Sequence, residues 1–113
     1  MLRPLFVDAG GEKLVVLHLD VERRMIGLDE GPVDNEDSVL FPMRAIIGAA
    51  LALDARGLVI AHNHPSGDPR PSRADIRATR RLAETAGALD IRLHDHLIFA
   101  GADCRSFREL GLL

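Results

Sequence analysis

Leu58-Val59-Ile60-Ala61 is a short apolar run that passes without a break into His62-Asn63-His64-Pro65. Such a run, bounded by turn formers, reads as a core strand. Side chains on a strand alternate faces, so His62 and His64 point to the same side at its end. Pro65, Pro69 and Pro71 then place three prolines within seven residues, which forbids regular structure. Ser72 opens a helix over Arg73 to Leu89, with Gly87 weakening its last turn. Ser72 and Asp75 form the S-x-x-D of a capping box, which sets Asp75 in the first turn. There the helix dipole favours the ionised carboxylate, the form that a metal needs. Taken singly, a cap is commonplace and two histidines at a strand end can be merely exposed. Taken together, two imidazoles and one carboxylate at a folded-back junction form a candidate metal site. Three protein ligands leave the fourth tetrahedral position for water, as in catalytic zinc sites.

The remaining segments supply a scaffold. Lys13 to Leu19 (KLVVLHL) predicts a buried strand, and the charged break Asp20 to Arg24 turns it into a second strand over Met25 to Leu28. Asp29 to Ser38 reads as a loop. Pro42 starts a helix over Met43 to Ala55, apolar around most of its surface and so expected between layers, with Gly57 ending it. Ile91 to Leu93 and Leu97 to Ala100 read as separate strands around Asp95-His96, and Cys104 to Phe107 as a short edge strand. The order β-β-α-β-α-β-β predicts an α/β sandwich of two or three layers, a mixed central sheet flanked by helices. At 113 residues the chain is expected to be a single domain, 1–113.

Composition narrows the function classes. The net charge of −3 and the absence of Trp and Tyr argue against strong nucleic-acid binding, which draws on surplus cations and stacking aromatics. No apolar run reaches the ~18–20 residues of a membrane helix, and the N-terminal stretch lacks the pattern of a secretory signal. The one cysteine, Cys104, excludes an internal disulfide and any multi-cysteine zinc site. The expected compartment is the cytoplasm.

His62-x-His64-Pro65, followed by Ser72-x-x-Asp75, resembles the JAMM signature of the JAB/MPN metalloprotease superfamily. The longer strings HNHPSGDPRPSRAD, DHLIFAG from Asp95 and SFRELGLL from Ser106 are similar to its RadC-like (UPF0758) branch, over about residues 11 to 113. The resemblance implies a cytidine-deaminase-like fold, a Zn2+ ion on His62, His64 and Asp75, and hydrolysis of a peptide or isopeptide bond by a metal-activated water. It also implies a general base from the first strand region, which falls on Glu12, and an oxyanion donor, which falls on Ser72. Full-length relatives carry a helix-hairpin-helix region that this chain is expected to lack. The alternatives are a non-catalytic zinc-binding MPN-type interaction module linked to DNA repair, and a metal-dependent nuclease.

Several further residues admit both a sharper and a plainer role. His94, Asp95 and His96 could form a second metal cluster but read better as polar groups near the sheet end, with Asp95 a candidate to orient a ligand histidine. His18 reads as a core or sheet-face histidine, and Cys104 as a small half-buried side chain. Arg73, Arg77, Arg80 and Arg81 fall on one helical stripe, and with Arg70 they are either a solvated face or a docking surface for an acidic partner. A peptide or protein substrate is the expected partner, and apolar surface on so short a chain leaves room for a homodimer.

Overall fold

The structure is a computed structural model that describes residues 2–6, 11–32 and 42–113. A 3-10 helix at Arg3–Phe6 precedes β1 (Lys13–Leu19), β2 (Met25–Pro32), α1 (Met43–Ala52), β3 (Gly57–Asn63), α2 (Arg73–Gly87), β4 (Arg92–Ala100) and β5 (Asp103–Ser106). The five strands form one sheet in the order β2-β1-β3-β4-β5. Only β3 and β4, joined through α2, run parallel. The mixed α/β architecture is the one the sequence predicts.

Strand alternation sends two sets of side chains to opposite faces. On one face Leu14, Val16, Leu58, Ile60 and Leu93 meet Ile46 and Ala50 of α1 and Leu82 and Ala86 of α2. On the other, Val15, Leu17, Ala61 and Phe99 pack with Leu2 and with Phe6 of the 3-10 helix. Both α-helices therefore cover the same face. Helix α1 buries only Ile46 and Ala50, and Leu51 is exposed, so it lies on the sheet and not between layers as expected.

Several boundaries differ from the sequence expectation. Strand β2 continues through Pro32, taking Asp29–Pro32 from the expected loop, whose residues 33–38 lie outside the described residues. Helix α1 stops at Ala52, because Asp54 adopts a left-handed φ of 53°. The Ala55 N–H then returns to the Ala50 carbonyl, an αL closure of the kind that ends many helices. Gly57 does not end the helix but opens β3, where a Cβ would stand 2.6 Å from His94 Nε2. Helix α2 closes at Gly87, ahead of Leu89.

The largest difference is in β4, which is one strand and not two. Its register against β3 jumps between Leu58↔Leu93 and Val59↔Asp95, so His94 is the extra residue of a bulge. The bulge reverses the phase of alternation. Leu93 faces the helices, and beyond the bulge it is His96, opposite Ile60, that does so.

Candidate metal centre

His62 lies near the end of β3, and His64 continues the ladder by donating its N–H to the Phe99 carbonyl at 2.8 Å. Two residues apart on extended backbone, the rings share the helix-bearing side of the sheet, and their centroids are 4.7 Å apart. Asp75 enters from the first turn of α2. Its N–H donates to Ser72 Oγ at 3.0 Å, and its Oδ2 accepts the Ser72 N–H at 2.8 Å. The capping box thus holds the carboxylate that faces the histidines.

The donor atoms converge. His62 Nε2 is 2.9 Å from His64 Nε2 and 3.5 Å from Asp75 Oδ1, and His64 Nε2 is 3.2 Å from Asp75 Oδ2. Ligand bonds of ~2.0–2.1 Å in tetrahedral geometry separate ligand atoms by about 3.3 Å, and these edges bracket that value. His62 and Asp75 are fully buried, and His64 is partly open.

Proton positions argue the same fit. His64 Nδ1 lies 2.8 Å from the Asp68 carbonyl, which can only accept, so the nitrogen donates and leaves Nε2 with a bare lone pair when the ring is neutral. Asp75 Oδ1 is buried and has no hydrogen-bond partner among the described residues. Unpaired acceptors gathered away from water are costly unless a cation meets them. The residues present therefore suit a divalent ion. Two imidazoles and one carboxylate are a donor set that divalent transition-metal ions accept.

Electrostatics follow from this crowding. Burial pulls His62 down to about 4, opposed by the Asp75 charge, so it is neutral at ordinary pH. His64 is raised, chiefly by its hydrogen bond to Asp75. Burial acts to raise Asp75, but hydrogen bonds from His64 and the Ser72 backbone prevail and hold it at about 2.

Glu12 lies within electrostatic reach of His64 and Asp75. It immediately precedes β1 and is only partly exposed. Burial raises its carboxyl, with the His64 charge opposing and the Asp75 charge assisting. Asn63, between the two histidines, holds this segment: its Oδ1 accepts the Lys13 N–H at 2.7 Å, and its Nδ2 donates to the Gly11 carbonyl at 3.0 Å. Sequence reasoning gave Asn63 no role. The only signal was its place in His-Asn-His, where alternation turns it to the opposite face.

Asp95 does not orient a ligand histidine. It accepts from the Ser106 hydroxyl at 2.5 Å, the His96 N–H at 2.8 Å and the Arg108 N–H at 3.1 Å. His96 reaches the site instead, with its Nε2 2.6 Å from His62 Nδ1. The bulge in β4 makes the exchange, because it moves the helix-facing position from Asp95 to His96. His94 stays apart, against Gly57, and His94-Asp95-His96 do not form a metal cluster among the described residues. His18 is a core residue, with Nε2 2.9 Å from Asp29 Oδ2, and Cys104 is half-buried against the second core cluster. Arg73, Arg77, Arg80 and Arg81 are all exposed, without ion-pair partners among the described residues. Arg70 is tied to Asp68 at 2.8 Å. Among the described residues no helix is long and apolar enough to cross a membrane.

Comparison with known proteins agrees with this geometry. Residues 1–112 match the family described as RadC-like JAB domain. The chain is 42% identical over 113 residues to a UPF0758 protein of Salinibacter ruber, covering 97% of this chain and 47% of that protein. It is 38% identical over 106 residues to one of Aquifex aeolicus, covering 94% and 46%. A third, of Rhodobacter capsulatus, is 43% identical over 102 residues, covering 90% and 48%. The chain spans about half the length of these curated relatives. With its fold, its His62-His64-Asp75 cluster and this match, the chain belongs to the RadC-like JAB domain family.

Proposed function

We propose that this domain is a zinc-dependent hydrolase that cleaves a peptide or isopeptide bond with a metal-activated water. The observation that carries the reading is the convergence of His62, His64 and Asp75, with Asp75 Oδ1 buried and unpaired. His62, His64 and Asp75 would hold the ion. When bound, zinc lowers the pKa of a coordinated water to about 7 and polarises a carbonyl. Glu12 takes up the proton of the attacking water and delivers it to the leaving amine. Its raised carboxyl suits that exchange, since a base works best when its pKa approaches the working pH. Ser72 Oγ accepts the Asp75 N–H, which leaves its own hydroxyl proton to donate to a developing oxyanion. Exposed Arg73, Arg77, Arg80 and Arg81 favour acidic protein substrates through long-range attraction.

Metal analysis with Glu12→Gln and His62→Ala, compared on a peptide library, tests the reading. The expected result is loss of zinc in His62→Ala alone and loss of turnover in both. Zinc bound by the native protein with no cleavage of any peptide or isopeptide overturns the enzyme, and leaves the interaction module of the same fold.

A further inference from the structure

We propose that Thr79 and His96 are positioning residues that dictate which nitrogen of His62 carries its proton, and so present a bare Nε2 to the His64–Asp75 side. The inference rests on the reading of this cluster as a metal site and adds to it two side chains that touch neither substrate nor ion.

The direction of a hydrogen-bonded chain carries it. Thr79 Oγ1 is 2.7 Å from the Asp75 carbonyl oxygen. A carbonyl only accepts, so the one hydroxyl proton of Thr79 lies in that contact. Thr79 Oγ1 is also 2.6 Å from His96 Nδ1, and with its proton committed it can only accept there. His96 therefore carries its proton on Nδ1 and has a bare Nε2. That nitrogen is 2.6 Å from His62 Nδ1, which must donate. His62 is left with its lone pair on Nε2, the atom 3.5 Å from Asp75 Oδ1.

Thr79, His96 and His62 are fully buried, so water cannot repair a broken or reversed link. The support is built in from two sides. Phe107 stacks on His96, with centroids 4.4 Å apart and planes 17° from parallel. Asp95 is held by Ser106 at 2.5 Å, and the bulge turns His96 toward α2. Asp75 stands at both ends, with its carbonyl starting the chain and its carboxylate facing the nitrogen that the chain prepares. Reversal is also well defined. Without the Thr79 hydroxyl, His96 can donate from Nε2 to His62 Nδ1, and His62 from Nε2 to His64 Nε2, 2.9 Å away. That arrangement blocks the nitrogen a metal would use.

The test reads two quantities: imidazole tautomers by 15N-resolved NMR of the metal-free protein, and zinc affinity by chelator competition. The native protein is expected to show His62 protonated on Nδ1. Thr79→Val should move His62 toward the Nε2-protonated form and weaken zinc binding by about 10–100-fold, as loss of an outer-shell partner does. Thr79→Ser should restore both. Should Thr79→Val fail to fold, His96→Gln, whose amide oxygen can accept from His62, should keep the native tautomer, and His96→Leu should lose it. An unchanged His62 tautomer in Thr79→Val or His96→Leu overturns the inference whatever the zinc data show. A tautomer that shifts as described in a protein that never binds zinc overturns the metal reading and supports the relay.

Discussion

The Asn63 amide oxygen accepts the Lys13 backbone N–H at 2.7 Å, across fifty residues of sequence. Together with the Asn63 Nδ2 bond to the Gly11 carbonyl, it grips the chain on both sides of Glu12. Replacing Asn63 by Leu removes both bonds and leaves the histidine backbone in its strand. The expected outcome is a fall in kcat of about tenfold or more, because proton transfer depends on placement. Zinc content should be unchanged, and steady-state kinetics with metal analysis on one preparation checks both.

Glu12→Gln is nearly isosteric and removes only the ability to take up a proton. Turnover should fall by about 10²–10⁴-fold, with zinc affinity and melting temperature close to native. Loss of zinc in this variant would make Glu12 a ligand instead of a base.

Ser72→Ala removes the α2 cap and the hydroxyl donor together. A lost N-cap costs about 1 kcal/mol, and a lost oxyanion donor about 10²–10³ in kcat. Ser72→Thr keeps both groups and should retain most stability and activity. Thermal melts and kinetics of the two variants separate capping from catalysis.

The shifts of His64 and Asp75 make opposite demands on pH. In the metal-free protein His64 is raised by Asp75, so its contribution to stability is fully present below pH ~6.5 and is lost as pH rises through the folded value. Asp75, lowered to about 2, contributes above its unfolded value of ~3.9 and loses that contribution as pH falls toward 2. Zinc competes with the His64 proton, so affinity should rise with pH and level off above the folded value. Chelator competition from pH 5 to 8.5 checks the sign. An affinity independent of pH contradicts it.

How legible the site was depended on sequence distance. His62, His64 and Asp75 could be read directly, because strand alternation and a capping box are local rules and the loop between them is short. Glu12 came only from family resemblance. Nothing in Gly11-Glu12-Lys13 announces that Asn63 will bond the backbone on both sides of Glu12, since antiparallel pairing of β1 with β3 sets those contacts. Thr79 and His96 were out of reach for a different reason. Apolar residues bracket Asp95-His96, so the pair looked like a break between two strands. A single bulge keeps the strand whole and decides which of the two faces His62. Helix α1 reads as buried all round because small alanines such as Ala45 and Ala52, on its exposed face, resemble a buried surface in sequence.

X-ray absorption fine structure on the zinc-loaded native protein is the most direct test of the central claim, that His62, His64 and Asp75 together hold one divalent ion. The account predicts one zinc per chain, with two imidazole nitrogens and oxygen ligands at ~2.0–2.1 Å, and the imidazole signal reduced in His64→Ala. A zinc surrounded by oxygen alone, or a native protein that retains no zinc, would contradict it.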